Sequence, residues 1–107
     1  MRGPEKGELL IIGWGGTYGA IESASDMLRR DGRQIANMHL RHLWPLPKGL
    51  EEIFARYEAV LVPELNMGQL CRILRSEYPS VNFHSYPKVQ GKPFTTHDIL
   101  ERVKGIQ

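Results

Sequence analysis

Short apolar runs alternate along this chain with amphipathic segments, and no other feature of the sequence limits the possible folds as strongly. The first run, over residues 9–13, is continuous and rich in branched side chains, which is typical of a strand buried on both faces. Further strands are predicted over residues 34–40, 59–62 and 81–86. Strands that alternate with helices form parallel sheets covered on both faces. We therefore predict an α/β fold, a three-layer α/β/α sandwich with a mostly parallel sheet of four or five strands.

Each predicted helix has one apolar face. In the first helix this face comprises Ile21, Ala24 and Leu28, and the helix ends where Gly32 can adopt the left-handed conformation. A second helix is predicted from about residue 48, with Leu50, Ile53, Phe54 and Tyr57 on one face. The third strand is expected to stop at Pro63, and the last helix contains Ile99, Leu100 and Val103.

The start of the third helix has the pattern of a capped N-terminus. If Asn66 is the N-cap, Gln69 takes the N3 position and its amide can reach back in a capping-box arrangement. Leu65 and Leu70 are then spaced to pack on each other as a hydrophobic staple. Helix initiation alone is therefore sufficient to explain the polar residues here.

The last helix is predicted to begin in the same way. Thr95 is placed as the N-cap, Asp98 falls at N3, and Phe94 and Ile99 have the spacing of a staple. Such a cap contributes about 1 kcal/mol to stability.

A glycine-rich turn follows the first strand and is the first candidate for a binding site. Gly15, Gly16 and Thr17 lead into a helix, whose free N–H groups and dipole can hold an anion. The glycines lack the G-x-G-x-x-G spacing of a dinucleotide site, and there is no P-loop lysine. The turn therefore has two interpretations, a phosphate site or a tight connection that requires glycine.

Glu64, just after the third strand, is the second candidate. Ligands of open parallel sheets bind at the carboxyl ends of the strands, where the strand order reverses. If the strand order is 2-1-3-4, Glu64 would face the glycine turn across this crevice. The alternative is an exposed or locally hydrogen-bonded loop residue.

Composition excludes several classes of protein. The net charge is +2 and no run of like charges occurs, which argues against a nucleic-acid-binding protein. No apolar stretch is long enough to cross a membrane. Cys71, the single cysteine, permits neither an intramolecular disulfide nor an iron–sulfur cluster, and a cytoplasmic location is expected.

The histidines and the cysteine have structural interpretations. His39, His42, His84 and His97 are not spaced as metal ligands and are interpreted as structural or surface residues. Cys71 is expected in the first turns of the third helix, where either a lowered thiol pKa or plain packing is possible.

Several segments occur together in a characteristic order. They are GGTYGA at 15–20, LRRDG at 28–32, HL at 39–40, LWPLP at 43–47, VPELNMGQL at 62–70 and GKPFT at 91–95. This order resembles the C-terminal domain of the alpha subunit of 2-oxoacid:ferredoxin oxidoreductases, most like the 2-oxoglutarate enzyme. The chain departs from the family at Gly16, where serine is common, and in having Trp14 before the glycine pair.

The resemblance implies a transketolase C-terminal-like domain within a thiamine diphosphate enzyme. Such enzymes convert a 2-oxoacid and coenzyme A to acyl-coenzyme A and CO2 while reducing ferredoxin. Thiamine diphosphate, magnesium and iron–sulfur clusters are implied for the whole enzyme but not for this domain, because the chain lacks the Gly-Asp-Gly…Asn-Asn motif and the cysteines of a cluster. The implied partners are the remaining domains of the alpha subunit, the beta subunit and ferredoxin; no nucleic acid and no membrane is expected.

The expected role of this chain is therefore in assembly, with no catalytic and no metal-binding residue. Residues 1–7 are interpreted as a linker or the start of an excised piece, and residues 8–107 as one domain. The candidate ligand or interface residues are Gly15, Gly16, Thr17, Glu64, Asn66 and Gln69. The alternative is a self-contained α/β module that binds a phosphate-bearing ligand at the glycine turn.

Overall fold

Four parallel strands form one sheet in the order β2-β1-β3-β4 in the computed structural model, which describes residues 1–41, 46–64, 69–88 and 93–106. The strands are β1 (Gly7–Trp14), β2 (Ile35–Leu40), β3 (Tyr57–Glu64) and β4 (Phe83–Pro87). The helices are α1 (Tyr18–Arg30), α2 (Leu50–Phe54), α3 (Gln69–Glu77) and α4 (Thr96–Lys104), and a short 3-10 turn, Gly15–Thr17, joins β1 to α1. The predicted parallel order is confirmed.

Helices cover both faces of the sheet, as the alternating pattern predicts. On one face, side chains such as Leu10 and Val60 pack with Leu50 and Phe54 of α2 and with Leu74 of α3. On the other face, a second apolar cluster joins the sheet to α1 and α4; it includes Leu9, Ile11, Leu61, Ile21 and Ile99. Adjacent residues of one strand thus enter different cores, which explains why the strands are continuous apolar runs.

Two predicted boundaries were wrong. Tyr57 is not part of α2 but the first residue of β3, because α2 ends at Phe54 after little more than one turn. The third strand does not stop at Pro63 but runs through it to Glu64. The predicted end of α1 is confirmed, since Gly32 has a φ of +86°.

Pro63 is tolerated because β3 has lost one neighbour at that point. The pairing of β1 with β3 ends at Ile11 and Leu61, after which β1 pairs only with β2 and β3 only with β4. The Val60 N–H donates to the carbonyl of Asn82, just before β4. Because the direction of the backbone N–H alternates along a strand, the backbone nitrogen of Pro63 faces the opposite side, from which β1 has departed. A missing N–H therefore costs no ladder bond there.

The first residues of the chain pack along the sheet. Arg2 forms an isolated antiparallel bridge with Asn37 of β2, in which each N–H donates to the other's carbonyl at 2.9 Å. The Tyr57 hydroxyl donates to the Pro4 carbonyl at 2.6 Å. In the described part of the chain, no helix combines the length and the apolar character that crossing a membrane requires.

Candidate functional site

The ends of β1 and β3 enclose the crevice at which the sheet order reverses. Because the two strands separate after Ile11 and Leu61, the residues that follow face one another across a widening gap. Trp14 ends β1 and Glu64 ends β3. The Trp14 indole N–H donates across the gap to Glu64 Oε1, at 3.5 Å. The predicted order and the placement of Glu64 opposite the glycine turn are both correct.

The glycine turn is shaped by close packing. A side chain at Gly13 would place its Cβ 2.6 Å from Thr17 Oγ1 and would also overlap Ile21. Gly15 has a φ of +66°, a conformation that favours glycine, and has open space beside it. Both requirements come from the fold, which agrees with the interpretation of a tight strand-to-helix connection.

Thr17 points into the protein. Its side chain is 1% exposed, and its hydroxyl donates to the Trp14 carbonyl at 3.1 Å. It makes no side-chain cap to α1. Any anion at this turn would therefore have to be held by backbone N–H groups alone.

Glu64 is a fully buried carboxylate with an internal function. Its Oε1 accepts from the Leu70 N–H at 2.6 Å and its Oε2 accepts from the Cys71 N–H at 3.0 Å. These are free donors of the first turn of α3, and a negative charge there also interacts favourably with the helix dipole. A residue at the end of β3 thus caps the first turn of α3.

This arrangement disfavours an anionic ligand in the crevice. The Glu64 carboxylate takes up two amides at the start of α3, and its negative charge, which lies across the crevice from the glycine turn, would repel an anion bound there. The geometry therefore does not favour the phosphate-binding alternative. In this crevice the Glu64 carboxylate connects the end of β3 to Trp14 of β1 and to the first turn of α3.

The other residues predicted at α3 fall partly outside the described residues. Gln69 is the exposed first residue of α3. Asn66 and Leu65, and with them the predicted capping box and staple, lie outside the part of the chain that the structure describes.

At α4 the predicted capping box is confirmed. Thr95 Oγ1 accepts from the Asp98 N–H at 3.1 Å, and the Asp98 carboxylate accepts from the Thr95 N–H at 2.9 Å. Phe94 and Ile99 belong to the same apolar cluster. Lys88 donates to Asp98 at 2.6 Å, and this contact together with the cap lowers the Asp98 pKa to about 2.

Among the described residues, which include His39, His84 and His97, no cluster of three potential metal ligands occurs. His39 packs edge-on against Tyr18 at 5.3 Å between ring centroids, and its pKa is lowered by burial. The pKa of His84 is also lowered, first by burial and then by nearby arginines. His97 is exposed, and His42 lies outside the described residues.

Cys71 is a packing residue. It is 1% exposed within the core beneath α3, and burial raises the pKa of its thiol. The possibility of a lowered pKa at this helix start was therefore wrong. Desolvation outweighs the nearby Arg75 charge.

The sequence did not predict that Trp14 contacts Glu64. The only signal for this contact was the position of Trp14 directly after the apolar run of β1, at the edge where ligand crevices form.

The fold belongs to the class seen in the C-terminal domains of transketolases. A solved split-gene transketolase, described as an inactive beta4 tetramer, matches 97% of this chain and 40% of its own, with a TM-score of 0.70 and 21% identity, which shows the fold alone. Residues 7–99 match the sequence model of pyruvate:ferredoxin oxidoreductase core domain II, and the chain belongs to this family.

Relatives in the family are oxidoreductase subunits. The chain is 47% identical over 92 residues to 2-oxoglutarate oxidoreductase subunit KorA of Mycobacterium tuberculosis, covering 86% of this chain and 14% of the relative. It is 36% identical to the alpha subunit of 2-oxoacid:ferredoxin oxidoreductase 1 of Aeropyrum pernix, covering 97% and 17%.

The match to one solved relative covers the whole of this chain. The 2-oxoglutarate:ferredoxin oxidoreductase of Magnetococcus marinus, determined with 2-oxoglutarate, coenzyme A and succinyl-CoA bound, superposes with a TM-score of 0.90 at 34% identity over 100% of this chain and 19% of its own. The chain thus spans less than a fifth of the length of these relatives.

Proposed function

We propose that this chain is an assembly domain of the alpha subunit of a 2-oxoacid:ferredoxin oxidoreductase that acts on 2-oxoglutarate. The whole enzyme would convert the 2-oxoacid and coenzyme A to acyl-coenzyme A and CO2, with electrons passed to ferredoxin. The domain would dock against the remaining domains of the alpha subunit and against the beta subunit. The family match and the identity to 2-oxoglutarate oxidoreductase subunits support this proposal.

The observation that supports an assembly role is that polar side chains in the crevice are already hydrogen-bonded within the protein. The Glu64 carboxylate in the crevice is fully buried and bonded to two backbone N–H groups. The Thr17 hydroxyl is turned inward and bonded to a backbone carbonyl. A catalytic acid, base or nucleophile needs a lone pair or proton free to meet a substrate. These two groups are committed to holding the fold.

The residues of this chain do not fit the cofactors that the whole enzyme implies. Cys71, its single cysteine, is buried, whereas an iron–sulfur cluster takes several thiolates. Magnesium with thiamine diphosphate needs oxygen ligands around the metal, and the described residues contain no such cluster. We therefore assign thiamine diphosphate, magnesium and the clusters to other parts of the enzyme and route no step through this domain. The unpaired cysteine is consistent with a cytoplasmic enzyme, the location we propose.

The test is reconstitution. This chain would be combined with the remainder of the alpha subunit and with the beta subunit, and the products separated by size-exclusion chromatography. A stoichiometric complex is expected, with 2-oxoglutarate- and coenzyme A-dependent reduction of ferredoxin that requires the chain.

Two outcomes would count against the proposal. Turnover of 2-oxoglutarate by the chain alone would show that it is catalytic. Elution as a separate species beside an active remainder would show that the domain takes no part in assembly.

A further inference from the structure

Two arginine side chains reach the outer edge of β4 from opposite faces of the sheet. Along this edge the backbone groups of Phe83 and Ser85 point away from the sheet, because the residues between them bond to β3. Arg75 of α3 donates to the Phe83 carbonyl at 3.1 Å, and Arg102 of α4 donates to the Ser85 carbonyl at 3.4 Å. The helices α3 and α4 cover different faces, so the two guanidinium groups flank the edge.

The Ser85 N–H is the backbone donor between these two occupied carbonyls. It has no hydrogen-bond acceptor among the described residues. Outward carbonyls two residues apart lie about 7 Å from each other along a strand, so a small acceptor on the Ser85 N–H would be close to both guanidinium groups. Another strand would need the carbonyls as well, whereas a carboxylate only accepts hydrogen bonds. The edge is therefore suited to a carboxylate rather than to a strand.

The charge of Arg102 is not neutralised within the protein. Of the described arginines, three are half-buried, and two of these pair with a carboxylate: Arg29 with Asp26 at 2.6 Å, and Arg33 with Glu8. Arg102 pairs with no described carboxylate, and the residues outside the described ranges include no aspartate or glutamate. A partly desolvated charge without a counter-ion is unfavourable. An acidic group from elsewhere would remove this cost.

The acidic residues next to Arg102 on α4 already have other cationic partners. Asp98 accepts from Lys88 at 2.6 Å, and Glu101 lies 3.3 Å from the ammonium group of Lys104. Neither carboxylate is therefore free to turn towards Arg102.

The position of the Arg102 guanidinium is fixed before any ligand arrives. Its Cζ lies 5.8 Å from the centre of the Tyr86 ring, and its Nη2 is bonded to the Ser85 carbonyl. The charges of Arg102 and Arg75 both reach His84, where they add to burial in lowering the pKa of the imidazole. A cation that is already held in place loses little conformational entropy on binding.

We propose that the outer edge of β4 binds an aspartate or glutamate side chain from the remainder of the oxidoreductase, between Arg75 and Arg102 and against the Ser85 N–H. The planar fork of donors on each guanidinium matches the two oxygens of a carboxylate. This inference rests on the proposed assembly function.

The first experiment measures the affinity of the reconstituted complex with charge-removing variants. Arg102→Gln keeps a donor for the Ser85 carbonyl but removes the charge, and we expect it to weaken the complex at least about tenfold. Arg72→Gln is the matched control, since Arg72 is exposed on the same helix as Arg75 and is expected to bind within about twofold of the wild type. Circular dichroism of the free variants establishes that they are folded. Equal affinity of a folded Arg102→Gln would contradict the proposal.

Amide hydrogen exchange tests the wild-type chain and decides the question if Arg102→Gln does not fold. Exchange at the Ser85 N–H should slow at least about tenfold in the complex, because the amide becomes hydrogen-bonded. The Phe83 N–H already donates to the Val81 carbonyl at 3.1 Å and should change by less than about twofold. Unchanged exchange at Ser85 in a complex that has formed would overturn the inference.

A zero-length cross-link identifies the acidic residue. In Arg102→Lys the introduced amine can be condensed with a neighbouring carboxylate by a carbodiimide, which takes up the water lost as the amide forms. We expect mass spectrometry to find this lysine joined to an aspartate or glutamate outside the chain, and Arg72→Lys to give no such product. Cross-links from Arg102→Lys that reach only carboxylates of this chain would contradict the proposal.

The outcomes separate the two proposals. If no complex forms, the assembly function fails and the carboxylate site fails with it. If a complex forms but neither Arg102→Gln nor the Ser85 exchange rate shows an effect, the assembly function stands and a different surface carries it.

Discussion

Two helix starts in this domain, those of α3 and α4, look alike in sequence and are stabilised in different ways. At α4 the cap is local, with Thr95 and Asp98 satisfying each other's backbone N–H groups. At α3, Glu64 arrives from the end of β3 and accepts from the N–H groups of Leu70 and Cys71. The first arrangement stabilises a helix, whereas the second joins a helix to the sheet.

The two sites also differ in solvent exposure. Glu64 is completely buried, while a quarter of the Asp98 side chain is exposed beside Lys88. A buried polar group left without a partner costs more than an exposed one, because water can replace the lost bond only at the surface. Breaking the α3 cap should therefore cost more than breaking the α4 cap.

The largest effect is expected for Glu64→Gln. The amide keeps the size of the side chain but points an N–H₂ at one of the two backbone N–H groups, so the free energy of unfolding should fall by about 2 kcal/mol. Urea denaturation followed by circular dichroism measures it. Glu58→Gln removes the same charge from an exposed position of β3 and is the matched control, expected within about 0.5 kcal/mol of the wild type. Equal losses in both variants would mean that the cap contributes nothing.

A smaller loss is expected for Thr95→Ala. Removing the hydroxyl leaves the Asp98 N–H without its side-chain acceptor, at a cost of about 1 kcal/mol. Thr95→Ser retains the oxygen and should be close to the wild type in the same denaturation experiment. A loss larger than that of Glu64→Gln would reverse the comparison.

The stabilisation that Asp98 provides at the start of α4 should also depend on pH. The Asp98 pKa lies at about 2, below its ordinary value of 3.8, so the carboxylate stabilises the folded state fully above this ordinary value. That contribution is lost as the pH falls from 3.8 towards 2. Midpoints of urea unfolding for the wild type and Asp98→Asn should therefore differ at pH 6 and converge near pH 2. A constant difference across this pH range would show that the charge of Asp98 is not the source of the stabilisation.

The smallest effect is expected for Trp14→Phe. The indole N–H lies 3.5 Å from Glu64 Oε1, at the long limit of a hydrogen bond, so its loss should cost only about 0.5 kcal/mol beyond the change in packing. Combining it with Glu64→Gln in a double-mutant cycle isolates this contact. A coupling energy near that of the whole cap would mean that the indole, rather than the helix N–H groups, holds the carboxylate.

The same contrast explains what the sequence could predict. The capping box at α4 depends on residues three apart, and the end of α1 depends on one glycine, so both are readable from the chain. The strand order follows from general rules for parallel sheets. Thus the fold was predictable, and so was the position of Glu64.

The bonds of Glu64 could not be predicted, because they depend on where β3 ends in space. The sequence marks Pro63 as a strand terminator, and only the departure of β1 makes a proline acceptable there. Once β3 runs on to Glu64, its carboxylate reaches α3. Tyr57 illustrates the converse, since helical spacing placed it on α2 although the strand had already begun.

The contact between Trp14 and Glu64 also makes Trp14 an intrinsic fluorescence probe of this crevice. The indole spans the point at which two central strands part, next to a buried negative charge, and indole emission is sensitive to such surroundings. Any event that widens or closes the gap between β1 and β3 will change the emission wavelength or the intensity of Trp14 fluorescence. With Trp44 replaced by phenylalanine, Trp14 would be the single tryptophan of this chain, and its emission would report changes at the centre of the sheet.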